Sequence, residues 1–277
     1  MAHHEGTFSG SGNIQLYYQA WLPEGDPKGA LLIVHGFGEH SGRYPAYVDH
    51  LPKRGFAVYA FDQRGHGRSP GQRGHINSWD EYRADVAAFQ HLVQAQQPGI
   101  PLFILGHSMG SLIVLDYILH DPKGLAGAIL SGTAIDPIGV GGPLLKMVAR
   151  LLSAVVPTFK LQLGLDPEGI STLPEVVQAY KDDPLVHGDT SARWGAESMK
   201  VLAWLKPRAE EIDLPVLFLH GGADPFNSVT GTQAYFERIP GADKAIKIYP
   251  GSYHEPHNDK DAAQVAQDVG DWLEQHL

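Results

Sequence analysis

From Ala30 to Ser131 the chain alternates short, nearly continuous apolar runs with amphipathic stretches. The runs occupy residues 30–35, 57–62, 101–106 and 126–131 and consist mainly of Val, Ile, Leu, Phe and Ala, the pattern of strands covered on both faces. A helix is expected after Ser78, where Ser78 and Glu81 have the spacing of a capping box and Tyr82, Val86, Phe89 and Val93 share one face. Strand and helix in alternation predict a mostly parallel sheet flanked by crossover helices, an α/β fold. Residues 14–21 suggest an antiparallel edge strand or hairpin. After Ser131 the rhythm breaks, and from 133 to 205 Gly, Pro and apolar helix formers replace it. It resumes with a strand at 215–220, a helix around 230–239, a strand at 244–249 and a last helix placing Val265, Val269, Trp272 and Leu273 on one face. The predicted organisation is a core from 1–132 and 206–277 with an inserted helical cap at 133–205. Within the cap, residues 144–156 are apolar almost all round, with Lys146, Arg150 and Ser153 as a narrow polar stripe. This stretch is too short to span a bilayer; it can line an apolar pocket, rest on a lipid surface or pack on the core.

Composition narrows the function. A chain of 277 residues, 43% hydrophobic, can bury a sizeable core. Lys and Arg number 21 against 31 Asp and Glu, and a net charge of −10 argues against a nucleic-acid partner. With no cysteine, a disulfide framework, a thiolate metal site and a thiol nucleophile are all excluded. The first residues lack the basic start and apolar run of a secretion signal, and no run approaches the roughly 20 apolar residues of a membrane span, so a cytoplasmic location is expected. His3 and His4 read as incidental, and nothing calls for a metal or cofactor.

The chemistry lies in Gly106-His-Ser108-Met-Gly110, a G-x-S-x-G directly after an apolar strand and before the helical stretch 109–120. A sharp strand-to-helix turn needs small residues at both glycine positions and leaves the Ser108 hydroxyl exposed above the sheet. Serine needs a base, and the base needs an orienting carboxylate, here in the chain order Ser, acid, His. Asp224, in the loop after the strand at 215–220, is the preferred acid; Asp136 is its rival, while Asp213 and Asp243 sit at the wrong strand ends. His254 follows the strand at 244–249, whereas His276 lies almost at the chain end. The oxyanion donors are expected to be the backbone N–H of Met109 and that of Phe37, in the glycine turn after the strand at 30–35.

Four segments, His35-Gly-Phe-Gly-Glu-His-Ser-Gly-Arg-Tyr44, Phe61-Asp-Gln-Arg-Gly-His-Gly-Arg-Ser69, Gly106-His-Ser-Met-Gly110 and Tyr249-Pro-Gly-Ser-Tyr-His254, resemble the monoacylglycerol lipase and lysophospholipase branch of the α/β-hydrolases. The resemblance implies that fold, a cofactor-free serine esterase, and Ser108, Asp224 and His254 in the triad positions, with Phe37 and Met109 at the oxyanion. It further implies that Glu39, Arg43 and His257 hold a glycerol head, although Glu39 and Arg43 could equally form an ion pair bracing the oxyanion loop. Ser111 stands where a second glycine often follows this turn. The expected substrate is a small lipid ester, above all a monoacylglycerol, met in solution or at a membrane or micelle surface through the cap. Lysophospholipase, broad carboxylesterase and a catalytically silent binding protein are the alternatives. Dehalogenase and epoxide hydrolase chemistry needs a carboxylate where Ser108 stands.

Overall fold

A computed structural model describes residues 1–139 and 151–277. Its eight-stranded sheet has the order β1-β2-β4-β3-β5-β6-β9-β10, formed by β1 (Ala2–Ser9), β2 (Gln15–Leu22), β3 (Gly29–Val34), β4 (Phe56–Phe61), β5 (Leu102–His107), β6 (Gly127–Ser131), β9 (Val216–Gly221) and β10 (Lys244–Tyr249). All pairings are parallel except β1 with β2 and β2 with β4. The expected strands are present, each within a residue or so of its expected bounds. The early strand 2–9 is not apparent in the sequence because only Phe8 is buried along it.

The central strands are buried at every position and largely apolar, with polar residues such as His107, Ser131 and His220 only toward their carboxyl ends, because helices cover both faces. Alternate side chains enter separate cores: Ala30, Leu32 and Val34 join one apolar cluster, Leu31 and Ile33 the other. Each such buried aliphatic side chain contributes about 1.5–3 kcal/mol relative to exposure. The helix Asp80–Gln96 buries Tyr82, Val86, Phe89 and Val93 as its spacing predicts, and the last helix, Ala262–Gln275, buries Val265, Val269, Trp272 and Leu273. The capping box does not form. The helix starts one residue later than that motif requires, with Trp79 at its cap, and the Glu81 carboxylate reaches back to the backbone N–H and side-chain amide of Asn77.

Between β6 and β9 the chain leaves the main sheet. It forms a two-stranded ribbon, β7 (Lys160–Gln162) with β8 (Asp189–Ser191), and helices Pro174–Asp182 and Ala192–Leu205. The second of these helices sends Trp194, Val201 and Leu205 into the larger apolar cluster, so this end of the insertion is anchored in the core. Of the apolar stretch 144–156, residues 144–150 lie outside the described part. Leu151 and Val155, from the stretch that could line a pocket, rest on a lipid surface or pack on the core, are exposed. Among the described residues no helix is long and apolar enough to cross a membrane.

The sheet order also fixes where a ligand can sit. From β3 the chain passes to β4 on one side, and from β5 to β6 on the other, so the adjacent carboxyl ends of β3 and β5 open a crevice.

Candidate active site

Ser108 follows β5 and caps the helix Met109–His120 with φ 50° and ψ −117°, a left-handed conformation that costs a non-glycine residue about 1–3 kcal/mol. The turn is held from both sides. Ser108 N–H donates to the Ser131 carbonyl at 2.9 Å, and Ser111 Oγ donates to the Ser108 carbonyl at 2.5 Å. At Gly110 any Cβ would collide with the Val34 carbonyl oxygen, so only glycine lets the helix start lie against the end of β3. The residue standing in place of a second glycine, Ser111, is thus fully buried and braces the turn.

The loops after β9 and β10 meet in the same way. A Cβ at Gly221 would overlap the Tyr253 carbonyl, and Gly222 and Ala223 donate backbone hydrogen bonds to Tyr249 and Ser252 at 2.8 and 3.0 Å. This backbone contact brings together residues 30 positions apart: His254 Nδ1 lies 2.9 Å from Asp224 Oδ2. Asp224 Oδ1 accepts the N–H groups of Phe226 at 2.8 Å and Asn227 at 3.1 Å, while His220 Nε2 approaches Oδ2 at 3.2 Å. Burial by itself would raise the Asp224 pKa, but His254 and His220 outweigh it and hold the carboxyl well below the usual carboxylate range. Burial disfavours a charged His254; the facing Asp224 carboxylate overcomes that, and the imidazole pKa lies above its ordinary value. The rival acid, Asp136, is half-exposed and pairs with Lys206 at 2.9 Å, and His276 pairs with Asp243 at the same distance.

Ser108 and His254 line one cavity with Gly36, Phe37, Glu39, His107, Asp166, Tyr180 and Glu255 among its walls. Among the described residues the Ser108 hydroxyl is not hydrogen-bonded to His254. Met109 is the first residue of its helix, where N–H groups lack intrahelical acceptors, and the Phe37 N–H is also free of an acceptor among the described residues. Both donors therefore remain available beside Ser108.

Glu39, Arg43 and His257 are divided by the fold. Glu39 lines the cavity; its Oε1 accepts Gly36 N–H at 2.6 Å and Tyr44 O–H at 2.8 Å, bracing the loop that carries Phe37. Arg43 lies behind it, with Nε 3.3 Å from Glu39 Oε2 and Nη2 donating to Glu255 Oε2 at 2.6 Å. His257 does not line the cavity either. It is stacked on Tyr44 at 5.0 Å and edge-on to His107 at 4.8 Å, and burial pushes its pKa down to about 4. Burial and the facing Glu255 carboxylate push Glu39 up to about 7, Arg43 opposing, whereas Arg43 draws Glu255 below its ordinary value against burial. Sequence reasoning missed Glu255, Tyr180 and His220. Adjacency to His254 is the one signal that could have found Glu255, since its partner Arg43 is 212 residues away. Among the described residues no cluster of His, Asp and Glu could hold a metal ion.

Comparisons with known proteins place the chain in a family. The family model described as serine aminopeptidase, S33 matches residues 25–261. A monoacylglycerol lipase from Mycolicibacterium smegmatis is 35% identical over 274 residues, 99% of this chain and 98% of that protein. The crystal structure of the Paleococcus ferrophilus monoacylglycerol lipase superposes with a TM-score of 0.84 at 32% identity, covering 100% of both chains. A soluble variant of the Saccharomyces cerevisiae monoglyceride lipase, in complex with a substrate analogue, gives 0.85 at 28% identity over 98% of this chain and 94% of that one. The sheet order, the strained serine turn and the length of these matches lead to one assignment: this chain belongs to the serine aminopeptidase S33 family of α/β-hydrolases, on its monoacylglycerol lipase branch.

Proposed function

We propose that this protein is a serine-dependent carboxylic ester hydrolase that cleaves monoacylglycerols to glycerol and fatty acid through an acyl-enzyme. His254, oriented by Asp224, removes the Ser108 proton as the hydroxyl attacks the ester carbonyl. The Phe37 and Met109 N–H groups receive the oxyanion, each such donor being worth roughly 2.7–4 kcal/mol. Glycerol leaves with the proton held by His254, and water activated by the same imidazole releases the acid. The observation that carries this reading is the 2.9 Å contact between His254 and Asp224 beside a cavity that also contains the strained Ser108. In the glycerol subsite Glu39 is the one of the three that meets the head, because it lines the cavity. Arg43 and His257 act from behind, by holding Glu39 and the histidine loop.

A substrate panel of one acyl chain tests the proposal. A kcat/KM for monoacylglycerol at least tenfold above that for the matching lysophosphatidylcholine and methyl ester supports it. A preference for lysophosphatidylcholine would select the lysophospholipase alternative instead.

Residues 133–205 are proposed as the lid over this cavity, to which they contribute Leu165, Asp166, Pro167, Ile170 and Tyr180. The outer surface of this insertion presents Leu151, Val155, Val156 and Phe159, with Val155 79% exposed, as a face for a membrane or micelle that holds the substrate. The double variant Val155→Asp, Phe159→Asp is expected to lose cosedimentation with phosphatidylcholine vesicles while retaining hydrolysis of a soluble short-chain ester. Unchanged vesicle binding would contradict the contact.

A further inference from the structure

The cavity beside Ser108 has a one-sided charge. Glu39, Asp166 and Glu255 line it, and no lysine or arginine does so among the described residues. The guanidinium behind this lining, Arg43, is engaged on three sides: Nη2 donates to Glu255 at 2.6 Å, Nε faces Glu39 Oε2 at 3.3 Å, and the Tyr180 ring covers its plane at 4.6 Å. Asn258 further fixes Glu255, donating from Nδ2 to Oε2 at 2.8 Å, so Arg43 cannot swing toward a ligand without breaking a buried pair. Asp166 stands on the opposite, cap-derived wall, its carboxylate accepting the N–H of Glu168 at 3.1 Å. A negative charge brought into this cavity would meet carboxylates from both walls, the buried Glu39 and Glu255 at low effective dielectric and the exposed Asp166 more weakly, with no lysine or arginine among the described lining residues to offset them.

We propose that Glu255 and Asp166, together with Glu39, select the ester by the charge of its alcohol, excluding anionic head groups such as phosphate monoesters and admitting uncharged polyols. The proposal rests on the reading of this cavity as the site of ester cleavage, and it makes Glu255 and Asp166 determinants of specificity. A phosphate monoester carries about −1.5 to −2 at neutral pH, which makes it the strongest case of exclusion. The net charge of −10 acts in the same direction at longer range.

The test uses non-hydrolysable ethers, 1-O-octylglycerol and its 3-phosphate, as competitive inhibitors of p-nitrophenyl butyrate hydrolysis by the full chain. The phosphate is expected to have an inhibition constant at least tenfold above that of the neutral ether, and Glu255→Gln and Asp166→Asn are each expected to narrow that ratio threefold or more. Asparagine keeps an oxygen that can accept the Glu168 N–H, so Asp166→Asn removes the charge while preserving the turn whose Gly169 carbonyl accepts the His254 N–H at 3.3 Å. Equal inhibition by the two ethers in the wild type, or a ratio unchanged in both variants, would overturn the proposal. Because the reporter is a simple ester, the outcome stands even if monoacylglycerol proves not to be the substrate.

Discussion

Alanine at position 108 is expected to lower kcat for monoacylglycerol hydrolysis by at least about 10⁴-fold, to the level left by the oxyanion donors and binding alone. The protein should remain folded, because the Ser108 side chain makes no hydrogen bond among the described residues and the hydroxyl faces the cavity. Alanine inherits the same left-handed backbone, so the melting temperature is expected to stay within about 2 °C of wild type. Glycine at this position is as inactive but relieves the strain at φ 50°, and is expected to raise stability by about 1 kcal/mol. Thermal melts and steady-state rates on the two variants check both halves. Activity within a hundredfold of wild type in Ser108→Ala would remove serine from the mechanism.

The second large effect is expected from Asp224→Asn, again about 10⁴-fold in kcat. The reason lies in the loop. Oδ1 is claimed by the N–H groups of Phe226 and Asn227, so an asparagine must place its oxygen there and turn its NH₂ toward His254. Nδ1 of His254 then has to accept rather than donate, which moves the ring proton to Nε2 and leaves no base facing Ser108. The pH profile gives an independent sign. His254 is active when neutral, and Asp224 raises its pKa above the ordinary 6.5, so the acid limb of wild-type kcat/KM lies above that value and activity is lost as pH falls through it. Removing the charge shifts the residual activity's limb to lower pH. An acid limb at the same pH in wild type and variant would show that this carboxylate does not set the histidine's titration.

Much of this was legible because the strands announce themselves. Runs buried on both faces stay almost continuously apolar, and once they are placed, the ordering of a doubly wound sheet puts the residues after β3, β5, β9 and β10 on one rim. The glycines of the serine turn were legible for the same reason, since their sites follow from where the backbone must double back. The early strand 2–9 was not, because an exposed edge strand needs no apolar alternation. Around Glu39 the limit was different. The i, i+4 spacing of Glu39 and Arg43 suggests their ion pair, but Glu255 and the Tyr180 ring reach Arg43 only through tertiary folding, and no local pattern forecasts them. His257 illustrates the converse: its position near His254 suggests a place at the substrate, whereas the ring is taken up by Tyr44, Tyr47 and His107.

The central claim is that the hydroxyl at position 108 is activated by the imidazole at 254, and a covalent trap reads it directly. After reaction of the native protein with a fluorophosphonate, peptide mass mapping is predicted to find a single adduct on Ser108, lost in His254→Ala under the same exposure. An unlabelled, catalytically active protein, or an adduct on a different serine, would contradict the account.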